Sequence, residues 1–151
     1  MKKYFISPGD LLRDSFLLGQ KIIESGFRPD FIVGIWRGGT PVGIAVQELL
    51  DYAGIATDHV AIRTSYSKGI AETAETVQVH GLGYLIRKIN RDDSLLIVDD
   101  VLDSGKSIEA VIADLRARCR RNMPSDLRVA TCWYKPTKNQ TGRIPDYFVH
   151  E

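Results

Sequence analysis

Residues 95–107 carry the strongest structural signal of the chain and read Leu95-Leu96-Ile97-Val98-Asp99-Asp100-Val101-Leu102-Asp103-Ser104-Gly105-Lys106-Ser107. The four apolar residues at its start are typical of a short strand that is buried on both faces of a parallel sheet. Two adjacent carboxylates follow, and a third comes three residues later. A small, hydroxyl-rich turn then opens a helix that we predict over residues 104–121. A strand that leads through a turn into a helix favours an α/β fold.

The turn after this strand has the composition of an anion site. Backbone N–H groups at a helix N-terminus, together with the helix dipole, can hold a phosphate. Ser104, Gly105 and Ser107 would let the anion approach closely and would add hydroxyl donors. Asp99 and Asp100 cannot hold the same phosphate, because like charges repel; they suit hydroxyl groups, a divalent metal or a developing cation. A sugar phosphate would satisfy both parts of the site.

One simpler interpretation of this turn fails on a single position. Gly105-Lys106-Ser107 matches the end of a nucleotide-binding P-loop. That loop needs a glycine five residues before Gly105, and the chain has Asp100 there. We therefore do not expect a P-loop.

The rest of the chain alternates between helices and strands. Ser7, Pro8 and Asp10 are typical of a helix start, and Gly26 is typical of its end. Further strands are predicted at residues 31–36, 59–63, 127–134 and 147–149, and a second helix at residues 40–52. Residues 64–81 are polar and show no clear period, so we predict a long, mobile loop there, with a short hairpin around residues 75–79. The alternation predicts a parallel sheet that binds ligands beyond the carboxyl ends of its strands.

Composition excludes several classes of protein. The 151 residues are enough for one domain, which we assign to residues 1–151, and 44% of them are apolar. Lys and Arg number 20 against 19 Asp and Glu, so a net charge of +1 argues against general attraction to nucleic acid or to anionic membranes. No apolar run approaches a membrane span, and no signal peptide is evident. Cys119 and Cys132 do not make a disulfide framework and are expected to be packing residues in a cytoplasmic protein.

Residues 96–107 resemble the motif with which type I phosphoribosyltransferases bind 5-phosphoribosyl 1-pyrophosphate (PRPP). The resemblance extends over about residues 31–148 and is nearest to the short bacterial and archaeal purine phosphoribosyltransferases. It implies the type I phosphoribosyltransferase fold, an α/β architecture with a central, mostly parallel sheet flanked by helices and a small hood. Those relatives continue past the segment that resembles residues 145–149 into a tail with a base-stacking aromatic residue. The sequence ends at Glu151, so we expect either that it is shortened or that its hood is incomplete.

The resemblance also implies an activity. Relatives of this kind transfer the 5-phosphoribosyl group from PRPP to hypoxanthine, guanine or xanthine in purine salvage, with Mg²⁺ as cofactor. By position in the motif, Asp103 would be the catalytic acid or base, and Asp99 and Asp100 would hold the ribose hydroxyls. Asp100 could also approach the metal. The phosphate of PRPP would bind the residues Ser104, Gly105, Lys106 and Ser107.

Residues 35–41, Ile35-Trp36-Arg37-Gly38-Gly39-Thr40-Pro41, resemble the pyrophosphate loop of the same family. Arg37 would hold pyrophosphate with its planar guanidinium group. The backbone of Gly38 would approach the pyrophosphate closely. The resemblance further implies a non-proline cis peptide bond between Trp36 and Arg37.

Two more motifs extend the resemblance to purine-specific members. Ser65 and Tyr66 match a Ser-Tyr pair in a flexible lid that closes over PRPP and shields the reaction from water. Lys135, which precedes Pro136, matches a lysine that donates a hydrogen bond to the 6-oxo group of the base.

Two alternatives to this function stay open. The first is a PRPP-sensing regulator that binds nucleic acid, which only the cluster of Arg116, Arg118, Arg120 and Arg121 favours and the near-neutral net charge disfavours. The second is a phosphoribosyltransferase for another base, which would not need Lys135. The resemblance implies PRPP and a purine base as partners, no membrane, and a homo-oligomer, either a dimer or a tetramer.

Overall fold

A computed structural model describes residues 5–67 and 76–151. Its strands are β1 (Phe31–Trp36), β2 (Asp58–Ser67), β3 (Thr76–His80), β4 (Ser94–Leu102), β5 (Asp126–Tyr134) and β6 (Tyr147–His150). Its helices are α1 (Pro8–Ser25), α2 (Gly39–Tyr52), α3 (Gly83–Lys88) and α4 (Lys106–Cys119), with 3-10 turns at Arg120–Asn122 and Pro136–Lys138. The strands form one sheet in the order β3-β2-β1-β4-β5-β6, and every neighbouring pair is parallel except β2 and β3. The predicted α/β fold with a mostly parallel sheet is confirmed.

Helices cover both faces of the sheet, because the central strands are apolar on both sides. Helices α1 and α2 bury Leu18, Ile22, Val42 and Leu50 against one face. Helices α3 and α4 bury a second cluster against the other face, which includes Leu85, Ile108, Val111, Ile112 and Leu115. Adjacent residues of β4 alternate between the two clusters, so one strand joins both cores. Within the described ranges, no helix combines the length and the apolar character that a membrane crossing requires.

The first helix begins and ends where the sequence predicts. The Ser7 hydroxyl accepts a hydrogen bond from the backbone N–H of Asp10 at 3.0 Å, which caps the N-terminus of α1. Gly26 ends the helix with a φ of 85°, a left-handed conformation that glycine adopts without steric cost.

The prediction of a long loop over residues 64–81 is wrong for the part that the structure describes. β2 continues to Ser67 and pairs antiparallel with β3, so that Thr64 lies opposite Val79 and Tyr66 opposite Val77. Residue exposure alternates along β3, the pattern of a strand with one face packed on the protein. Here the polar composition favours a loop, but pairing with a distant segment of the chain makes these residues a strand. The described part of the predicted hairpin around 75–79 is instead the single strand β3, whose partner is β2, and residues 68–75 lie outside the described residues.

Two boundaries and one helix also differ from the prediction. β4 continues through the acids to Leu102, and α4 begins at Lys106 rather than at residue 104. The sequence analysis did not identify α3. The apolar residues Leu82, Leu85 and Ile89 nevertheless have helical spacing, and all three are buried on the α4 side of the sheet.

Candidate active site

The ends of β1 and β4 meet at the centre of the sheet, where the chain changes direction. β1 connects through α2 to β2 on one side, whereas β4 connects through α4 to β5 on the other. Such a switch point leaves a crevice beyond the carboxyl ends of the two strands, which is where ligands bind in open α/β sheets. The peptide bond between Trp36 and Arg37, at the end of β1, is cis, a conformation that the family resemblance had suggested for this place.

Asp99 and Asp100 lie in this crevice at the end of β4. The backbone N–H of Asp100 donates to Asp99 Oδ1 at 2.8 Å, and the N–H of Val101 donates to Asp100 Oδ1 at 2.9 Å. Burial raises the pKa of Asp99 well above its usual range, and the neighbouring Asp100 raises the pKa further. Ionising both carboxyl groups is therefore costly, and a hydroxyl donor or a cation at this point would relieve their repulsion.

Two glycines let the loop after β1 pack directly on the end of β4. A Cβ atom at Gly38 would lie 2.6 Å from Cγ of Asp100, and one at Gly39 would lie 2.6 Å from the carbonyl oxygen of Val98. Neither position can therefore accept a side chain without moving its neighbour. Since β1 and β4 are parallel, Arg37, which is exposed, lies at the same end of the sheet as the acids.

The turn for which the sequence predicts phosphate binding, residues 104–107, follows the acids and leads into α4. Gly105 has a φ of 85° and is the N-cap residue of α4, so the cap position itself supplies no side chain. The hydroxyl of Ser104 accepts a hydrogen bond from the N–H of Lys106 at 3.3 Å. Lys106 is exposed and Ser107 is half-buried. Helix α4 thus begins just after the end of β4, and a helix N-terminus at such a place suits a phosphate.

Asp103 and Lys135 face each other beside this turn. Lys135 Nζ lies 4.0 Å from Asp103 Oδ2, and the two side chains are 47% and 46% exposed. The backbone N–H of Lys135 donates to the carbonyl of Leu102 at 3.0 Å, which ties the end of β5 to the end of β4. An ion pair this exposed contributes little to stability, so its groups can exchange partners with a ligand.

Ser65 and Tyr66 lie on a strand rather than in a loop. Arg63 of β2 is level with Trp36 of β1, and β2 continues past that point. Ser65 Oγ lies 3.0 Å from His80 Nε2 on β3, and Tyr66 is 54% exposed. Ser65 and Tyr66 therefore lie past the level at which β1 ends. Because β1 separates β2 from β4, they are one strand farther from Asp100 than the residues of β1 are. Their role in a lid stays a prediction.

Sequence reasoning missed two features of this site. The hydroxyl Oγ1 of Thr40 is buried behind the two glycines and has no hydrogen-bond partner in residues 5–67 or 76–151. The loop of residues 139–143 packs against Gly105, where a Cβ atom would overlap Thr141. The sequence Asn139-Gln140-Thr141-Gly142 is typical of a turn, and could have suggested an ordered loop, but not its contact with Gly105.

Comparisons with known proteins agree with this geometry. The family model of the phosphoribosyl transferase domain matches residues 15–151. A search of curated protein sequences finds no match. The purine phosphoribosyltransferase from Pyrococcus horikoshii is 26% identical and superimposes with a TM-score of 0.74, over 100% of this chain and 89% of its own.

Two further solved structures share the fold at lower identity. A Neisseria gonorrhoeae protein with bound ppGpp is 22% identical with a TM-score of 0.79, over 100% of this chain and 85% of its own. A hypoxanthine phosphoribosyltransferase from Staphylococcus aureus is 19% identical with a TM-score of 0.71, over 99% and 77%. Because the domain model covers nearly the whole chain and the sheet is mostly parallel, as the resemblance implies, the chain belongs to the type I phosphoribosyltransferase family.

Proposed function

We propose that this phosphoribosyltransferase transfers the 5-phosphoribosyl group of PRPP to a 6-oxopurine: hypoxanthine, guanine or xanthine. The observation that carries the proposal is the pairing of Lys135 with Asp103 beside the phosphate-binding turn. The O6 and N7 atoms of a 6-oxopurine lie on one edge of the ring, so a base at this position could accept a hydrogen bond from the ammonium at O6 while the carboxyl group interacts at N7. The likeness to a purine phosphoribosyltransferase from Pyrococcus horikoshii supports the same class of base.

The remaining groups of the site suit the parts of PRPP. Residues 104–107 would hold the 5′-phosphate through the N–H groups at the start of α4. Asp99 and Asp100 would accept hydrogen bonds from the ribose hydroxyls. Arg37 and the backbone of Gly38 would hold the pyrophosphate. This division keeps the anions of the substrate away from the carboxylates of the protein.

The donor set also suits Mg²⁺. Adjacent carboxylates at Asp99 and Asp100 supply the hard oxygen ligands that this ion prefers. Within the described residues, no three His, Cys, Asp or Glu side chains gather into a cage. Mg²⁺ is commonly held by one or two carboxylates together with substrate phosphates, and Asp100 would be the protein ligand. When bound, the ion would neutralise charge on the leaving pyrophosphate.

The reaction breaks the bond between C1 of the ribose and pyrophosphate, and N9 of the purine then forms a bond to C1. The pyrophosphate leaves with the electron pair, so positive charge develops on the ribose ring. Asp99 and Asp100 favour that charge electrostatically. Asp103 would hold or accept a proton at N7 as N9 becomes bonded to carbon. Ser65 and Tyr66 would exclude water, which otherwise competes for the activated ribose.

The direct test measures pyrophosphate release from PRPP and Mg²⁺ with hypoxanthine, guanine, xanthine, adenine and uracil in parallel. We expect turnover with 6-oxopurines only, and a Lys135→Gln variant should raise the KM for the base while the KM for PRPP changes little. Turnover with adenine or uracil would instead assign another base. Saturable PRPP binding without turnover on any base would favour a PRPP-sensing regulator.

The proposed setting is the cytoplasm, and the proposed state is a homo-oligomer, either a dimer or a tetramer. Leu12, Phe16 and Leu17 on α1 are between 38% and 52% exposed, and exposed apolar side chains on one helix favour self-association. Light scattering of the purified protein would give the mass of the particle directly.

A further inference from the structure

Residues 139–143 form a loop that packs on the phosphate-binding turn. The N–H of Gln140 donates to the carbonyl of Ser104 at 2.9 Å. Thr141 fills the space in front of Gly105, so that a Cβ atom there would overlap its hydroxyl oxygen. The Nε of Arg143 forms an ion pair with Glu109 in the first turn of α4. The loop thus contacts Ser104 and Gly105 of the turn and also the first turn of α4.

The side chain of Asn139 holds this loop in place. Its Oδ1 accepts hydrogen bonds from the N–H of Thr141 at 3.0 Å, from the Thr141 hydroxyl at 3.0 Å and from the N–H of Gly142 at 3.2 Å. Its Nδ2 donates to the carbonyl of Arg143 at 2.8 Å and to the hydroxyl of Tyr134 at 3.3 Å. Since Oδ1 meets two backbone N–H donors and Nδ2 meets a carbonyl, the orientation of the amide is determined.

These bonds connect three parts of the chain that bear on the site. Tyr134 is buried at the end of β5, so Asn139 joins the loop to the sheet. Thr141 then transmits that position to Gly105, because the two are in contact. Lys135 directly follows Tyr134 in the chain. Its backbone N–H donates to the carbonyl of Leu102, and its side chain pairs with Asp103.

We propose that Asn139 is a positioning residue that orders the phosphate-binding turn through Thr141 and Gln140. Asn139 does not touch substrate in this proposal. It holds the backbone N–H groups of the turn in the geometry that a phosphate requires before the phosphate arrives. The ligand part of the proposal rests on the proposed function, because it assumes that residues 104–107 hold the phosphate of PRPP. Ordering a binding site in advance improves affinity by reducing the entropy lost on binding.

The test compares Asn139→Ala with a matched control, Gln140→Ala. Gln140 is the exposed neighbour and contacts the turn through its backbone N–H alone, so the control keeps every bond described above. We expect Asn139→Ala, which removes all five bonds, to raise the Kd and the KM for PRPP about tenfold, which corresponds to about 1.4 kcal/mol of binding free energy. The kcat and the KM for the base should stay within about threefold. A residue with only a structural role would lower the melting temperature and leave this split absent.

A second measurement does not depend on PRPP. Hydrogen exchange in the ligand-free protein should be about tenfold faster at the amides of Lys106 and Glu109 in Asn139→Ala, and unchanged in Gln140→Ala. Unaltered exchange at both amides would overturn the proposal, whatever the protein binds. Failure of the unmutated protein to bind PRPP would overturn the proposed function, and the exchange rates would then still decide whether Asn139 orders the turn. If Asn139→Ala does not fold, Thr141→Val removes one of the five bonds and should show the same changes at about threefold.

Discussion

The three carboxylates of the site differ in their surroundings, and that difference separates their roles. Asp99 is the one whose pKa burial raises strongly, so its ionised form is held at a cost. Asp100 lies against the backbone of Gly38 and accepts a hydrogen bond from Val101. Asp103 is nearly half exposed and faces Lys135. Under the proposed function, the two fixed acids suit the ribose hydroxyls, and the exposed acid suits contact with the base.

The role of Asp103 predicts a specific kinetic change. Asp103→Asn keeps the size of the side chain and removes its ability to accept a proton. We expect kcat to fall about a hundredfold or more, the usual contribution of general acid–base catalysis, with the KM for PRPP within about threefold. Steady-state kinetics with both substrates varied would check this. A variant that loses PRPP binding and keeps its turnover would remove Asp103 from the catalytic role.

We expect the substitution Asp99→Asn to increase the stability of the folded protein. A carboxyl group whose pKa is higher in the folded than in the unfolded chain lowers stability as pH rises from the unfolded value near 4 through the folded one. Asp99→Asn removes that cost and keeps an oxygen for the N–H of Asp100. We expect a melting temperature about 3 °C higher at pH 7 without ligand, weaker PRPP binding, and a difference from the unmutated protein that shrinks toward pH 4. Thermal unfolding at several pH values would check this, and a lower melting temperature at pH 7 would contradict it.

At the scale of elements, the sequence predicts structure that depends on neighbouring residues better than structure that depends on residues far apart in the chain. The run from Leu95 to Ser107 indicates a strand, a turn and a helix, because each depends on neighbouring residues. Ser7 caps α1 for the same reason. The hairpin of β2 with β3 depends on pairs such as Thr64 with Val79, which are far apart in sequence and carry no strong local signal. The contact of Thr141 with Gly105 is also non-local, so the sequence identified the turn and missed the loop that packs on it.

The effect of the contact between Gly105 and Thr141 can be separated from the effect of backbone strain by comparing alanine substitutions at two glycines. Gly105 has a φ of 85° and Gly142 has a φ of 77°, so alanine costs each a similar amount of backbone strain, about 1 kcal/mol. No described atom lies within 4 Å of a Cβ at Gly142, whereas a Cβ at Gly105 would overlap Thr141. We expect Gly105→Ala to raise the KM for PRPP at least tenfold and Gly142→Ala to leave it within about threefold. Equal effects on the KM would show that strain, and not the contact, sets the geometry of the turn.

At the scale of the whole molecule, one sheet separates two apolar cores, and each core contains one free cysteine. Cys119 belongs to the core under α3 and α4, at the end of α4, and is 6% exposed. Cys132 belongs to the core under α1 and α2, on β5 between β4 and β6, and is 0% exposed. The two thiols can therefore report on two different opening events of the same protein.

Cys119 should react with a thiol reagent at least tenfold faster than Cys132. Fraying of the last turn of α4 would expose Cys119, whereas exposure of Cys132 requires the sheet to come apart. Burial raises the pKa of Cys132 to about 11, so at pH 8 only about a thousandth of the native thiol is ionised and reactive. Labelling of Cys119→Ala and Cys132→Ala variants would isolate each rate, and the rate at Cys132 should follow global unfolding as denaturant is added. If Cys132 reacts as fast as Cys119 in the absence of denaturant, the core under α1 and α2 opens locally and the sheet does not hold the two cores together as one cooperative unit.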